Sequence, residues 1–135
     1  MPARYSVHTV YTKVNYEDVE KVSEAMHFLR DPLDTQRVGV TVVRCEPGWI
    51  GQPHDHAADD HEEVYVLVTG RATVRVEDEE IPMRSGDAIS ISPAATRQIV
   101  NGDAESAFVL VSAPTDLGDP DDDGDDPRIL TGFPG

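Results

Sequence analysis

An all-β fold, a sandwich or barrel of short strands, is the class this sequence predicts, on three observations. Seven or eight stretches rich in Val, Ile, Thr and Tyr recur about every ten residues, turn residues separate them, and no strong amphipathic helix interrupts the series. Periodicity alone does not choose between sandwich and barrel.

The elements follow in order. Residues 5–14 mix Tyr, Val and Thr with polar residues and suit a strand. Residues 15–24 are polar and acidic and suit a single helical turn or a loop. Residues 26–30 fit a short strand closed by Asp31-Pro32, and residues 38–46 a longer one ending at the Pro47-Gly48 turn. Residues 63–69 run as a strand up to Gly70. In residues 71–77, Ala72, Val74 and Val76 alternate onto one face. Asp78-Glu79 fits a hairpin turn. Residues 88–92 and 97–100 give two more short strands, Asn101-Gly102 is a turn signal, and residues 106–112 form the last strand. After Pro114 the composition changes: residues 116–126 hold seven Asp with Gly and Pro, too little apolar surface to offset ordering entropy, so the stretch is expected to be mobile. Ile129, Leu130 and Phe133 beyond it could dock on the barrel or on a second subunit.

A chain of 135 residues makes one domain and can bury a core without staples. Cys45 is the single cysteine, so no intrachain disulfide forms, and a reducing cytoplasm is the compartment that fits. No run of about 18 apolar residues exists to span a membrane as a helix, and residues 1–10 lack the charged-then-apolar layout of a signal peptide. The formal net charge of −15 would repel a polyanionic backbone, which argues against nucleic acid as a partner. The acids are 16 Asp and 10 Glu against 9 Arg and only 2 Lys, a balance that resembles proteins adapted to high salt. An ordinary acidic protein with an acidic tail is the alternative.

Chemistry concentrates between Gly48 and Gly70, where three of the five histidines fall within eight residues. Side chains two apart on a strand share a face, so His54 and His56 can point the same way, and Glu63 opens the next strand on one face with Tyr65 and Leu67. Two imidazoles and a carboxylate suit a divalent transition metal (iron, manganese, zinc, nickel or copper) and leave coordination positions open for water or substrate.

This stretch resembles the first signature of the cupin superfamily: Gly, five residues, His-x-His, a spacer, Glu, six residues, Gly. Gly48, His54, His56, Glu63 and Gly70 take those places. The spacer between His56 and Glu63 is six residues, against the usual three or four; a two-residue bulge in a loop accommodates this cheaply, and Glu63 is preferred to Glu62 as ligand. A second signature is recognisable from Gly86 to Asn101, with Ser92 at its Pro place and Ala94 at its Gly place. Arg97 stands where a fourth ligand, a histidine, is usual. A guanidinium has no lone pair to donate and cannot ligate a metal.

The resemblance implies a double-stranded β-helix barrel over residues 36–114, an N-terminal arm over 1–35 that extends a sheet or crosses to a partner, a tail over 115–135, and a homodimer. It implies a metal held by His54, His56 and Glu63, and a small organic ligand entering the barrel mouth. Arg97 is expected either to bind an acidic ligand or, in a barrel that has lost its metal, to pair with Glu63. His61 reads as a solvated loop histidine beside Asp59 and Asp60; if the strand already begins there, it shares a face with Glu63 and could be a further ligand. Tyr65, Trp49 and Met83 are candidates to line a pocket or to pack as core. Cys45 reads as a small buried hydrophobe. Residues 119–124 imitate the start of a calcium loop, but its twelfth position is Leu130 and the resemblance stops there. Two functional classes follow: a metalloenzyme (oxygenase, isomerase or lyase) acting on a small acidic or oxygenated metabolite, and a non-catalytic binding module.

Overall fold

Strands alternating between buried and open residues need a second layer over their buried face, and here the chain supplies it by folding into two antiparallel sheets. The computed structural model describes residues 10–116. Its strands are β1 (Met26–Phe28), β2 (Gly39–Cys45), β3 (His61–Thr69), β4 (Arg71–Val76), β5 (Glu79–Arg84), β6 (Ala88–Ile91), β7 (Arg97–Asn101) and β8 (Ser106–Pro114). One sheet runs β1-β2-β8-β3-β6 and the other β5-β4-β7. Val43, Tyr65, Leu67, Phe108 and Leu110 from the first meet Val74, Met83 and Ile99 from the second in one core. This is the double-stranded β-helix, so the barrel, rather than an open sandwich, is the outcome.

The chain passes from the first sheet to the second at its sharpest corner through a single residue. Gly70 alone separates β3 from β4, at φ +90°, and a Cβ there would stand 2.6 Å from the Glu105 carbonyl oxygen and 2.9 Å from Ser106 Cα. Only glycine fits that corner. Farther on, Asn101 closes β7 over the barrel end: its amide donates to the carbonyls of Glu46 (2.7 Å) and Ala104 (3.0 Å) and accepts from the Ser106 hydroxyl (2.7 Å). Asn101 is therefore the last residue of a strand and not the first of a turn. Cys45 ends β2 and is buried; burial pushes its thiol pKa up, against a hydrogen bond with Ser106 that lowers it.

Several elements depart from expectation. Strand β5, over residues not assigned as a strand from the sequence, carries Pro82; it lies at the edge of its sheet, where a proline costs no ladder bond if its nitrogen faces outward. The hairpin turn before it lies one residue earlier than expected, at Glu77-Asp78, with Glu77 at φ 54°. Residues 10–14 form no strand. Residues 15–24 hold a 3-10 turn at Tyr16–Asp18, capped by the Asn15 side chain, which accepts from the Glu17 amide at 2.9 Å. The strand expected over 26–30 stops at Phe28, and Asp31-Pro32 enters a one-turn helix, α1 (Arg30–Leu33). Proline is tolerated there because first-turn amides have no helical acceptor. Strand β1 pairs antiparallel with β2, so this part of the N-terminal arm extends the larger sheet, with Ala25 fully buried beside it. The strand start at Tyr5, the calcium-loop imitation, and Ile129, Leu130 and Phe133 all lie outside the described residues.

Candidate metal centre

Strand alternation on β3 turns Glu63, Tyr65 and Leu67 inward and leaves Glu62 exposed, so Glu63 is the carboxylate that reaches the barrel interior. The preceding loop brings two histidines to it. His54 is held by a two-way backbone bridge to Arg97 on β7 (His54 N to Arg97 O 3.0 Å, Arg97 N to His54 O 2.8 Å), and His56 by its amide on the Pro93 carbonyl at 2.7 Å. One ligand-capable atom from each of His54, His56 and Glu63 lies within 4.8 Å of the others, and burial deepens from the histidines to Glu63.

In the neutral imidazoles, the hydrogen bonds around the two rings decide which nitrogens are free. His54 Nδ1 lies 3.2 Å from the Gln52 carbonyl oxygen, which can only accept, so Nδ1 carries the proton and Nε2 the lone pair. His56 Nδ1 lies 3.1 Å from both carboxylate oxygens of Asp59, with the same consequence. The bond from His56 holds the Asp59 carboxyl below the usual carboxylate range. His56 Nε2 is buried without a hydrogen-bond partner among the described residues, yet stands 3.2 Å from Glu63 Oε1. Two electron-rich atoms at that distance, without hydrogen-bond geometry, want a cation between or beside them. A divalent transition metal fits this donor set: two neutral imidazoles, each oriented through its other nitrogen, and a carboxylate.

Arg97 complicates the picture. It is fully buried, and its guanidinium donates from Nη1 to Glu63 Oε1 at 2.6 Å, from Nη2 to the Ser92 carbonyl at 2.6 Å, and from Nε to the Ala95 carbonyl at 3.0 Å. So Arg97 does face the site from the fourth-ligand place, already paired with Glu63. Gln98 points the other way, to Arg75 (3.0 Å) and the Gly51 carbonyl (2.9 Å), as regular alternation requires.

The remaining candidates separate. Strand β3 does begin at His61, and its ring stacks on that of His56 with centroids 6.4 Å apart, but His61 is not among the three residues whose ligand atoms converge. Tyr65 is buried edge-on against Phe108; burial, then the Glu63 charge, push its phenol pKa far up, so it stays neutral beneath the site. Met83 is core, and Trp49 packs partly buried against the core with Nε1 donating to the Ser23 carbonyl. Asp59 went unrecognised in the sequence. The lengthened spacer supplies it: residues 57–60 form a turn, closed by Asp60 at φ 55°, that swings Asp59 back onto His56. An acid three residues after a candidate ligand was the available signal.

Comparison with known proteins agrees with this architecture. The family described as the cupin domain matches residues 41–113. Among solved structures, a cupin protein from Bacteroides fragilis is similar at TM-score 0.68, with 23% identity over 82% of this chain and 90% of its own. A Cupin 2 conserved barrel domain protein from Salinispora arenicola aligns at TM-score 0.63, with 17% identity over 79% of this chain and 90% of its own. A cupin-superfamily protein from Silicibacter pomeroyi, described as a sugar phosphate isomerase, aligns at TM-score 0.61, with 22% identity over 76% of each chain. None of the curated proteins matches. At these identities the likeness is one of fold.

Proposed function

Because the chain belongs to the cupin-domain family, we propose that it binds a small acidic or oxygenated metabolite at a divalent transition metal held by His54, His56 and Glu63. The observation that carries this reading is the commitment of both histidine Nδ1 atoms to outer acceptors, which leaves both Nε2 lone pairs for a metal. Such a metal supplies a Lewis acid and open positions for an oxygen ligand. Asp59 holds the His56 ring in register. Arg97, a permanent cation beside the carboxylate ligand, provides charge for an anionic ligand group and makes the site prefer one. A fold neighbour described as a sugar phosphate isomerase supports acidic, oxygenated substrates, with isomerase, oxygenase and lyase chemistry as the candidate reaction classes. Free, buried Cys45 is consistent with a reducing cytoplasm.

A second reading rests on one observation, the buried Arg97–Glu63 pair at 2.6 Å: a non-catalytic cupin in which the guanidinium replaces the metal. Calorimetric titration with iron, manganese, zinc, nickel and copper separates the two. The first reading expects stoichiometric binding that His54→Ala and His56→Ala abolish, that Asp59→Asn weakens by about tenfold or more, and that Arg97→His tightens. No binding by the natural chain, with binding created by Arg97→His, gives the second. Full occupancy in either alanine variant would remove the site as drawn.

A further inference from the structure

A strand lining an apolar interior turns apolar side chains inward, and a glycine within it packs nothing and weakens it. Strands β2 and β8 keep to this over only part of their length. Inward from β8 stand Phe108 and Leu110, then Ser112; inward from β2 stand Cys45 and Val43, then Thr41 and Gly39. Burial falls in the same direction. Val43 and Phe108 are fully buried, whereas Thr41, Gly39 and Ser112 are half-buried, so water reaches the inner face at this end of the barrel. Registry sets the change beside the candidate metal centre: Gly39, Ser112, Glu63 and Ile91 lie in one row across β2, β8, β3 and β6. The backbone does not require the glycine, because Gly39 is not among the residues at positive φ. What Gly39 provides is room, since a Cβ there would stand 2.7 Å from Ser112 Oγ.

The two flanks of Glu63 differ. Beyond Ile91, the carbonyls of the following turn are taken up by the centre itself: those of Ser92 and Ala95 accept from Arg97, and that of Pro93 from the His56 amide. On the other flank, β2 and β8 turn no charged side chain inward, and the polar groups they offer are the hydroxyls of Thr41 and Ser112. Neither hydroxyl has a hydrogen-bond partner among the described residues. We infer that Gly39, Thr41 and Ser112 form a subsite for a neutral hydroxyl of the ligand, so that the metabolite is a hydroxy acid whose anionic end is taken at His54, His56 and Glu63. This rests on the metal-binding reading above and narrows its ligand class. A second carboxylate on the ligand finds no cation on this flank. An apolar chain leaves two protein hydroxyls desolvated and unpaired, whereas a ligand hydroxyl, donor and acceptor at once, satisfies them. Cross-strand neighbours stand about 5 Å apart at Cβ, a span that a hydroxyl about four bonds from the carboxylate carbon covers.

Calorimetric titration tests this on the full chain loaded with the tightest-binding of iron, manganese, zinc, nickel and copper, with 4-hydroxybutanoate and butanoate as probes. The natural chain is expected to bind 4-hydroxybutanoate about tenfold more tightly than butanoate. Ser112→Ala should bring the two acids to about equal affinity while leaving metal and butanoate binding unchanged. Gly39→Ala should do the same by displacing the Ser112 hydroxyl, and Thr41→Val, which keeps shape and strand propensity, should lower the preference and decides the matter if the other two variants fail to fold. Equal affinity of the natural chain for the two acids, no binding of either, or a preference that survives both Ser112→Ala and Thr41→Val would overturn the subsite and leave the metal centre standing. A chain that takes up none of the five ions would overturn the metal centre and the subsite with it.

Discussion

Arg97 is the largest fully buried side chain among the described residues and the residue on which the reading of the site turns. It is bonded to one carboxylate and two backbone carbonyls of the preceding turn, so removing it strands several acceptors at once. Arg97→Met should cost about 3–5 kcal/mol of folding stability, because Glu63 is left as an uncompensated buried charge. Arg97→Met with Glu63→Leu should recover much of that loss, since neither charge then remains. Urea denaturation of the three proteins measures it, and a double variant no better than the single would show that the turn carbonyls, and not Glu63, set the cost. The choice of Glu63 over Glu62 was legible in the sequence through the six-residue spacing to Gly70 in the cupin-like signature, and strand alternation gives it a physical cause by turning Glu63 inward and Glu62 out. The inward position of Arg97 was suggested only by its place in the second signature, where a histidine ligand is usual. The hold of Asp59 on His56 was not legible, because it depends on how a loop turns, and loops have no period to count.

At the scale of elements, Gly70 and Gly86 offer a controlled pair. Both have positive φ (90° and 98°), but a Cβ at Gly70 collides with backbone whereas one at Gly86 meets nothing within 4 Å. Alanine at Gly86 should cost about 1 kcal/mol, the backbone strain alone, and alanine at Gly70 about 3 kcal/mol or more, since strand β8 must also move. Equal shifts in melting temperature would mean that the corner yields more easily than its packing suggests. The strands most legible in the sequence were those flanked by turn residues and rich in β-branched side chains, such as Arg71–Val76 and Ser106–Pro114. Strand Glu79–Arg84 was hidden because proline and acidic residues signal a break, and only its place at a sheet edge makes them acceptable. Residues 10–14 show the converse: strand-like composition without a neighbouring edge to pair with forms no strand.

The whole molecule carries 26 acidic against 11 basic side chains. Arg75–Glu80 at 3.5 Å and Arg97–Glu63 are two Arg–carboxylate pairs, so most of the charge is left to solvent and salt to screen. Self-repulsion should therefore weaken the folded state when screening is poor. Thermal melts in dilute buffer and in molar potassium chloride are expected to show a midpoint that rises with salt; a flat response would leave the composition without a link to salt adaptation.

Cys45 has a consequence of a different kind. It is the only sulfhydryl in the chain, it is 2% exposed in the core, and burial holds it in the protonated form that electrophiles attack poorly. A disulfide reagent in solution thus meets no reactive sulfur until the end of β2 comes away from β8. The rate of labelling then counts openings of the barrel, one signal per molecule and no engineered tag. Followed with and without added metal ion, that clock reads whether a ligand at one end of the barrel slows the breathing of the other.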